Sequence, residues 1–150
     1  MIMDVLTPEQ RSWNMSRIRS RNTRIEVIIR SALHKRGFRF RINQSCLPGK
    51  PDIVLKKYRA IIFVNGCFWH FHECKYSKIP STRHEWWENK LKCNRKRDLN
   101  NIKELELLGW RTLIIWECTI RESNDIANLI DFVESWLLLG EASTEIGLVE

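Results

Sequence analysis

The chain has 150 residues, 43% of them hydrophobic, and 25 Lys and Arg against 18 Asp and Glu give a formal net charge of +7. This apolar content excludes a disordered chain, and the length predicts one compact domain with one core. No apolar run approaches the roughly 18 residues that span a bilayer, and the first residues lack the pattern of a secretion signal. We therefore expect a cytoplasmic protein without a membrane anchor.

The charge is distributed unevenly along the chain. Residues 1–50, 51–100 and 101–150 carry formal charges of +8, +6 and −7. Such a field attracts a polyanion to the first two thirds of the chain, although a solvated basic surface would give the same pattern. Charge alone therefore leaves nucleic-acid binding open.

The hydrophobic pattern predicts three helices and four strands. The first helix starts at Asn22-Thr23 and stops before Gly37, and Glu26 in its first turn can simply complement the helix dipole. The remaining elements, in chain order, are a strand over 38–42, a hairpin of strands over 52–55 and 60–64, a helix over 84–108, a strand over 111–116 and a helix over 124–139.

The order of these elements predicts an α/β fold. Because a long helix joins the second hairpin strand to the next strand, the two strands should be parallel, so that a mixed β-sheet is flanked by helices. We divide the chain into a basic N-terminal arm over 1–20, a domain over 21–140 and a C-terminal tail over 141–150.

Asp52 is a candidate ligand for a hard cation. It follows Pro51 at the start of a strand, where an Asp often serves only the turn. The neighbouring strand ends at Val64-Asn65, a few residues before His70, and a hairpin brings these positions together. Mg²⁺ needs only one or two carboxylates with carbonyls and water, so Asp52 and a backbone oxygen would suffice.

Two further groups of residues in and around the loop over 67–87 carry chemistry. Three cysteines and a histidine suit a structural zinc ion, although free thiols remain the alternative, and Cys46 and Cys93 are interpreted as such thiols. Aromatic residues among lysines and arginines suit stacking on bases and contact with phosphates. The candidate zinc ligands are Cys67, His72, Cys74 and Cys118, and the candidate DNA contacts are Phe68, Trp69 and Trp87.

Several segments together closely resemble the very-short-patch-repair (Vsr-type) DNA mismatch endonucleases. They are LPGKPD at 47–52, IIFVNGCFWH at 61–70, LLGWR at 107–111 and WEC at 116–118. The resemblance runs in register from about Arg11 to Trp136. It implies the restriction-endonuclease-like fold of the PD-(D/E)xK superfamily, and a Mg²⁺-dependent nick in double-stranded DNA on the 5′ side of the T of a T:G mismatch, which arises when 5-methylcytosine deaminates.

The resemblance also implies roles for individual residues. Asp52 and the carbonyl of Val64 would bind Mg²⁺ directly and Glu26 through water, while His70, oriented by Asp98, would be the acid/base group. Cys67, His72, Cys74 and Cys118 match the family's structural zinc ligands. The residues that would contact DNA are Phe68, Trp69 and Trp87 at the mismatch, Met15, Arg17 and Arg19 in the arm, and Lys50.

The chain departs from the family pattern at Asn65, where some members carry His. A neutral amide cannot donate a proton as an imidazolium does, so more of the proton transfer would depend on His70. Two alternatives stay open, a restriction or homing-type nuclease acting on matched DNA and a non-catalytic zinc-stabilised DNA-binding module. The resemblance further implies a bacterial monomer that works on the nucleoid, with mismatch-repair proteins and a repair polymerase as candidate partners.

Overall fold

The computed structural model describes residues 7–10, 23–122 and 125–147. Its helices and strands, in chain order, are α1 (Arg24–Lys35), β1 (Arg41–Ile42), β2 (Ile53–Leu55), β3 (Ala60–Asn65), α2 (His84–Leu107), β4 (Arg111–Trp116), α3 (Glu117–Glu122), α4 (Ile126–Leu139) and β5 (Thr144–Ile146), with a 3₁₀ turn at Lys56–Tyr58 between β2 and β3. Within this part of the chain no helix is long and apolar enough to cross a membrane.

The five strands form one sheet in the order β1-β2-β3-β4-β5. The β1–β2 and β2–β3 pairs are antiparallel, whereas β3–β4 and β4–β5 are parallel. The predicted mixed sheet with flanking helices is therefore confirmed. Because β3 and β4 are parallel and in register from Ala60↔Arg111 to Asn65↔Trp116, their carboxyl ends lie side by side at one edge.

Both faces of the three central strands β2, β3 and β4 are largely buried, so these strands are apolar on both sides. In β3, Ile62 packs with the helices α1 and α4, while the preceding Ile61 packs with Leu105 of α2 on the other face. The first face holds the larger core, which includes Leu33, Val133 and the fully buried Trp136. The helix α2 alone covers much of the second face.

The first strand is shorter than the predicted span of 38–42. The backbone N–H of Phe38 donates to the carbonyl of Leu33 at 3.1 Å, and Gly37 has φ +91°. Phe38 thus closes the end of α1 in a glycine-terminated helix cap instead of pairing with β2. Its side chain still enters the core, at 6% exposure, against the ring of Tyr58.

Two elements were not predicted, the helix α3 and the strand β5. The six residues of α3 are too few to display a helical period. The three residues of β5 carry one apolar side chain, Ile146, and pair only with β4. The carbonyl of Ile146 accepts a hydrogen bond from the hydroxyl of Thr119 in α3 at 3.1 Å, so the two elements stabilise each other.

Candidate active site and metal centre

A pocket of about 160 Å³ lies at the carboxyl end of β3. Residues of α1, β3, β4 and α2 line it, together with the turn before β2 and the loop after β3. All the residues predicted for catalysis line it, as does the predicted DNA contact Lys50: Glu26, Lys50, Asp52, Val64, Asn65, His70 and Asp98. The fold thus brings together residues that are up to 72 positions apart in the chain.

Asp52 lies on the strand boundary where it can reach the end of β3. The backbone N–H of Val64 donates to Oδ2 of Asp52 at 2.7 Å. The pKa of Asp52 is raised from its ordinary value of 3.8 to about 7, mainly by burial and also by the nearby carboxylate of Glu26, while the Val64 hydrogen bond opposes the shift. Two carboxylates placed together in a partly dry pocket are stabilised by a divalent cation, so the donor set fits Mg²⁺.

Glu26 reaches the pocket because of how α1 begins. Thr23 is the N-cap, and its hydroxyl accepts from the backbone N–H of Glu26 at 3.3 Å. The side chain of Glu26 lies on the buried side of the helix, at 3% exposure. A helix-dipole role would leave a first-turn carboxylate in solvent, so burial in the pocket distinguishes Glu26 from an ordinary first-turn acid.

His70 and Asp98 form a hydrogen-bonded pair that also lines the pocket. Nδ1 of His70 lies 2.5 Å from Oδ2 of Asp98. Asn94, one turn before Asp98 on α2, donates to the carbonyl of Trp69 at 3.1 Å and so fixes the loop that carries His70. A carboxylate at Nδ1 sets the tautomer of the imidazole and leaves Nε2 as the nitrogen that can exchange a proton.

Two further residues place polar groups in the pocket. Asn65 is buried, at 7% exposure. Asn101 also lines the pocket and was not among the predicted site residues. Its spacing of three from Asp98 on a predicted helix was the signal that could have found it, because residues three apart share a helix face.

Lys50 enters the same pocket in a strained backbone conformation. Its φ is +48°, and the preceding Gly49 has φ +78°. A Cβ on Gly49 would lie 3.2 Å from Cε1 of Phe63 and from Cβ of Asn101. The Gly-Lys turn is therefore packed closely against β3 and α2, and a non-glycine residue at positive φ is a common feature of functional sites.

Cys67, His72, Cys74 and Cys118 form a second cluster. Their ligand atoms all lie within 4.8 Å of one another, and the three sulfur atoms belong to buried residues. Cys118 follows β4 directly, so the parallel register of β3 and β4 brings it beside Cys67. A closed set of three cysteines and one histidine is consistent with a structural zinc site.

The surroundings of this cluster suit a bound cation. Burial raises the pKa of the Cys67 thiol, because a thiolate at this buried position needs a cation beside it to offset its charge. Burial also lowers the pKa of His72, which favours the neutral imidazole that ligates metals. The imidazole of His72 stacks on the indole of Trp116, with ring centroids 4.2 Å apart. A Cβ on Gly147 would lie 2.9 Å from Cε1 of His72, so the residue after β5 closes directly over this ligand.

The predicted aromatic contacts form one packed group in the structure. The ring of Phe68 lies 5.0 Å from that of Trp69 and 5.5 Å from that of Trp87, centroid to centroid. Trp87 is only 6% exposed, whereas the adjacent Trp86 is 44% exposed. In this arrangement Trp87 therefore supports Phe68 and Trp69 from behind. The predicted contacts Met15, Arg17 and Arg19, with nearly all of the arm, lie outside the described residues.

The sequence matches known proteins along nearly its whole length. Residues 3–76 match the family model for the DNA mismatch endonuclease Vsr. The chain is 42% identical to the DNA mismatch endonuclease Vsr of Escherichia coli (strain K12) over 145 residues, which cover 95% of this chain and 93% of that protein. The chain belongs to the Vsr family. It is therefore a DNA endonuclease, and thus a hydrolase.

Other relatives carry a different description. The chain is 43% identical over 119 residues to the type II nicking enzyme V.XorIIP of Xanthomonas oryzae pv. oryzae, covering 79% of this chain and 88% of that protein. It is 41% identical over 118 residues to the type II nicking enzyme V.NmeAIP of Neisseria meningitidis, covering 79% of this chain and 84% of that protein. Family membership thus establishes a nicking endonuclease that acts on DNA.

Proposed function

We propose that this Vsr-family enzyme nicks double-stranded DNA on the 5′ side of the T in a T:G mismatch left by deamination of 5-methylcytosine. The observation that carries the proposal is the meeting of Asp52 and Glu26 with the His70–Asp98 pair in one pocket. The identity to the Escherichia coli mismatch endonuclease over 95% of the chain supports the choice of substrate.

In the proposed mechanism Asp52, the carbonyl of Val64 and, through water, Glu26 would hold Mg²⁺. The cation, when bound, offsets the negative charge that develops on the phosphoryl oxygens. His70 carries the proton at Nε2 between the reacting oxygens and solvent, because Asp98 holds Nδ1. Asn65 hydrogen-bonds to a phosphate oxygen, because an amide can donate a hydrogen bond there without exchanging a proton.

Selection of the mismatch depends on Phe68 and Trp69 in this proposal. Separating two base pairs costs a few kcal/mol and costs least where pairing is already weak, so an aromatic wedge favours a mispair before any bond is cut. Both rings are only partly buried and rest on Trp87. Lys50, and in the arm Met15, Arg17 and Arg19, bind the DNA around this point.

The deciding experiment compares a T:G duplex with its T:A counterpart in the presence of Mg²⁺. We expect nicking of the T:G duplex alone, on the T strand, and loss of nicking in Asp52→Ala. Equal cleavage of both duplexes would favour a nuclease that acts on matched DNA. This is the alternative that we consider because some relatives are described as type II nicking enzymes. Binding without cleavage by the parent protein would favour the DNA-binding module.

We further propose that zinc at Cys67, His72, Cys74 and Cys118 stabilises the fold, because it would tie the loop after β3 to the end of β4. Metal analysis should find one zinc per chain, and Cys118→Ser should lose the zinc and unfold at lower urea concentration. Cys93→Ser, at an exposed free cysteine, is the matched control and should keep both. A zinc-free parent of full stability would contradict the proposal.

The cellular setting follows from the proposed reaction. We propose that the enzyme acts as a monomer on bacterial DNA in the cytoplasm. Because a nick starts repair but does not complete it, a repair polymerase must resynthesise the strand. Mismatch-repair proteins are the candidate partners that would transfer the nicked DNA to this polymerase. Gel filtration of the protein alone tests the monomer, which a stable dimer at micromolar concentration would contradict.

A further inference from the structure

One side of α2, with its N-cap residue, carries a basic and aromatic stripe, which we call the α2 stripe and define as Arg83, Trp86, Lys90 and Arg97. The spacings of three, four and seven place these side chains on one side of a helix. All four residues are exposed. Asn101, four residues beyond Arg97, lines the catalytic pocket. The stripe therefore continues from the mouth of the pocket toward the start of the helix.

Trp86 is held in place although it is exposed. It is 44% exposed, its ring lies 4.9 Å from that of the buried Trp87, and two cations lie over it. The guanidinium of Arg83 is 4.5 Å and the ammonium of Lys90 is 5.1 Å from the ring centroid. Cation–π contacts of this kind fix an indole and two positive charges at one spot on the surface before any ligand binds.

The carboxylate of Glu88 lies away from the stripe. Glu88 forms ion pairs with Lys92 at 3.0 Å and with His84 at 3.9 Å on a different side of the helix. Among the ion pairs of the described residues, none involves Arg83, Lys90 or Arg97. The positive charge of the stripe is thus not neutralised within this part of the molecule.

The backbone at Arg83 is also unusual. Arg83 occupies the N-cap position of α2 with φ +55° and no side-chain capping bond, whereas Ser, Thr, Asp or Asn would normally cap a helix there. The left-handed conformation costs about 1 kcal/mol or more for a non-glycine residue. The guanidinium lies over Trp86 and does not cap the helix, so this position serves the stripe and not the stability of α2.

The length of the stripe matches a DNA backbone track. Arg83 and Asn101 are 18 residues apart, which corresponds to about 27 Å along a helix and to roughly eight base pairs of duplex. We propose that the α2 stripe binds the sugar-phosphate backbone of the duplex that flanks the nick, with the cations on phosphates and Trp86 against the deoxyriboses. This inference rests on the proposed function only in placing the scissile phosphate in the pocket.

Contacts of this kind are independent of sequence. They should strengthen binding of matched and mismatched duplexes alike, and they should make binding more sensitive to salt. The stripe thus differs from the Phe68–Trp69 wedge, whose contribution should be specific to the mispair. The proposal assigns a DNA-binding role to Trp86, the exposed member of the tryptophan pair, while Trp87 supports the Phe68–Trp69 wedge.

The test measures duplex binding without Mg²⁺ over a range of salt concentrations. For the double variant Arg83→Ala/Arg97→Ala we expect the slope of log affinity against log salt to become shallower by about 1.8, since each phosphate contact contributes about 0.9. The dissociation constant should rise by roughly tenfold for T:G and T:A duplexes equally. Lys56→Ala/Lys57→Ala removes two exposed lysines at the opposite end of β3 and should change neither quantity.

A second variant tests the indole. Trp86→Ala should raise the dissociation constants of the T:G and T:A duplexes several-fold and by the same factor, because a backbone contact does not depend on the base pairs. Phe132→Ala, at a 43% exposed ring on α4, is the matched control. Thermal unfolding checks that the variants are folded, and Trp86→Phe should restore most of the binding.

An unchanged salt slope in the double variant, or a loss of affinity confined to the T:G duplex, would overturn the proposal that the α2 stripe binds the DNA backbone. These outcomes are separable from failure of the proposed function. Equal nicking of T:G and T:A by the parent protein would reject mismatch specificity, yet a shallower salt slope in the double variant would still support the stripe.

Discussion

Asp52 should make the metal-free protein less stable as the pH rises, and Asp52→Asn should remove this effect. Burial raises the pKa of Asp52 from 3.8 to about 7, so between these values the folded protein holds a proton that the unfolded chain releases. The free energy of unfolding therefore falls as the pH rises from about 4 to about 7, and the full penalty persists above pH 7. An amide at position 52 does not titrate and avoids the penalty.

The magnitude follows from the size of the shift. About three pKa units at 1.36 kcal/mol each give an upper limit of about 4 kcal/mol. Because the pocket opens to solvent, water and counterions reduce this, and we expect Asp52→Asn to be more stable than the parent by about 2 kcal/mol at pH 8. The variant keeps an oxygen that can accept from the N–H of Val64, so the hydrogen bond of 2.7 Å is not lost.

Urea unfolding of both proteins at pH 5 and pH 8, in buffer freed of Mg²⁺ but without chelator so that zinc is retained, measures the difference. We expect Asp52→Asn to raise the free energy of unfolding slightly at pH 5 and by the full amount at pH 8. Adding Mg²⁺ at pH 8 should stabilise the parent and not the variant, because binding to the folded state adds to stability. Nicking by the variant should be lost.

Glu104→Gln is the control, since it neutralises an exposed carboxylate of α2. Its stability relative to the parent should be the same at both pH values. A variant Asp52→Asn that is no more stable than the parent at pH 8, or one whose gain does not depend on pH, would refute the reasoning.

Three further predictions concern other residues of the site. Gly147→Val should speed the release of zinc to a chelating dye and lower the urea midpoint of unfolding, because a Cβ at this position would lie 2.9 Å from Cε1 of His72. A release rate equal to that of the parent would argue against this contact in solution. Asp98→Asn should reduce the nicking rate by about 100-fold or more and alter its pH profile, since His70 loses the carboxylate that sets its tautomer. An unaltered pH profile of nicking would assign Asp98 a structural role only. Trp69→Ala should reduce the preference for T:G over T:A duplex in binding more than it reduces salt-sensitive affinity for matched DNA, and equal losses would make Trp69 a general contact.

The sequence by itself determined the order of the main elements and the mixed sheet. The apolar strands at 60–64 and 111–116 and the long helix between them were sufficient, because a strand-helix-strand connection within one sheet is parallel. The sequence also determined the family, because the run over 61–70 is distinctive, and it identified the four members of the cysteine and histidine cluster.

Only the tertiary structure decided which of these residues meet and what each environment does to them. The pair of His70 with Asp98 was implied by the resemblance, and the structure supplies its geometry. The buried position of Glu26 and the raised pKa of Asp52 arise from contacts between distant segments, which spacing along the chain does not encode. The same holds for Trp86 and Trp87, which are adjacent in sequence but about 100° apart around a helix. One is therefore buried behind the aromatic group, and the other is exposed between two cations.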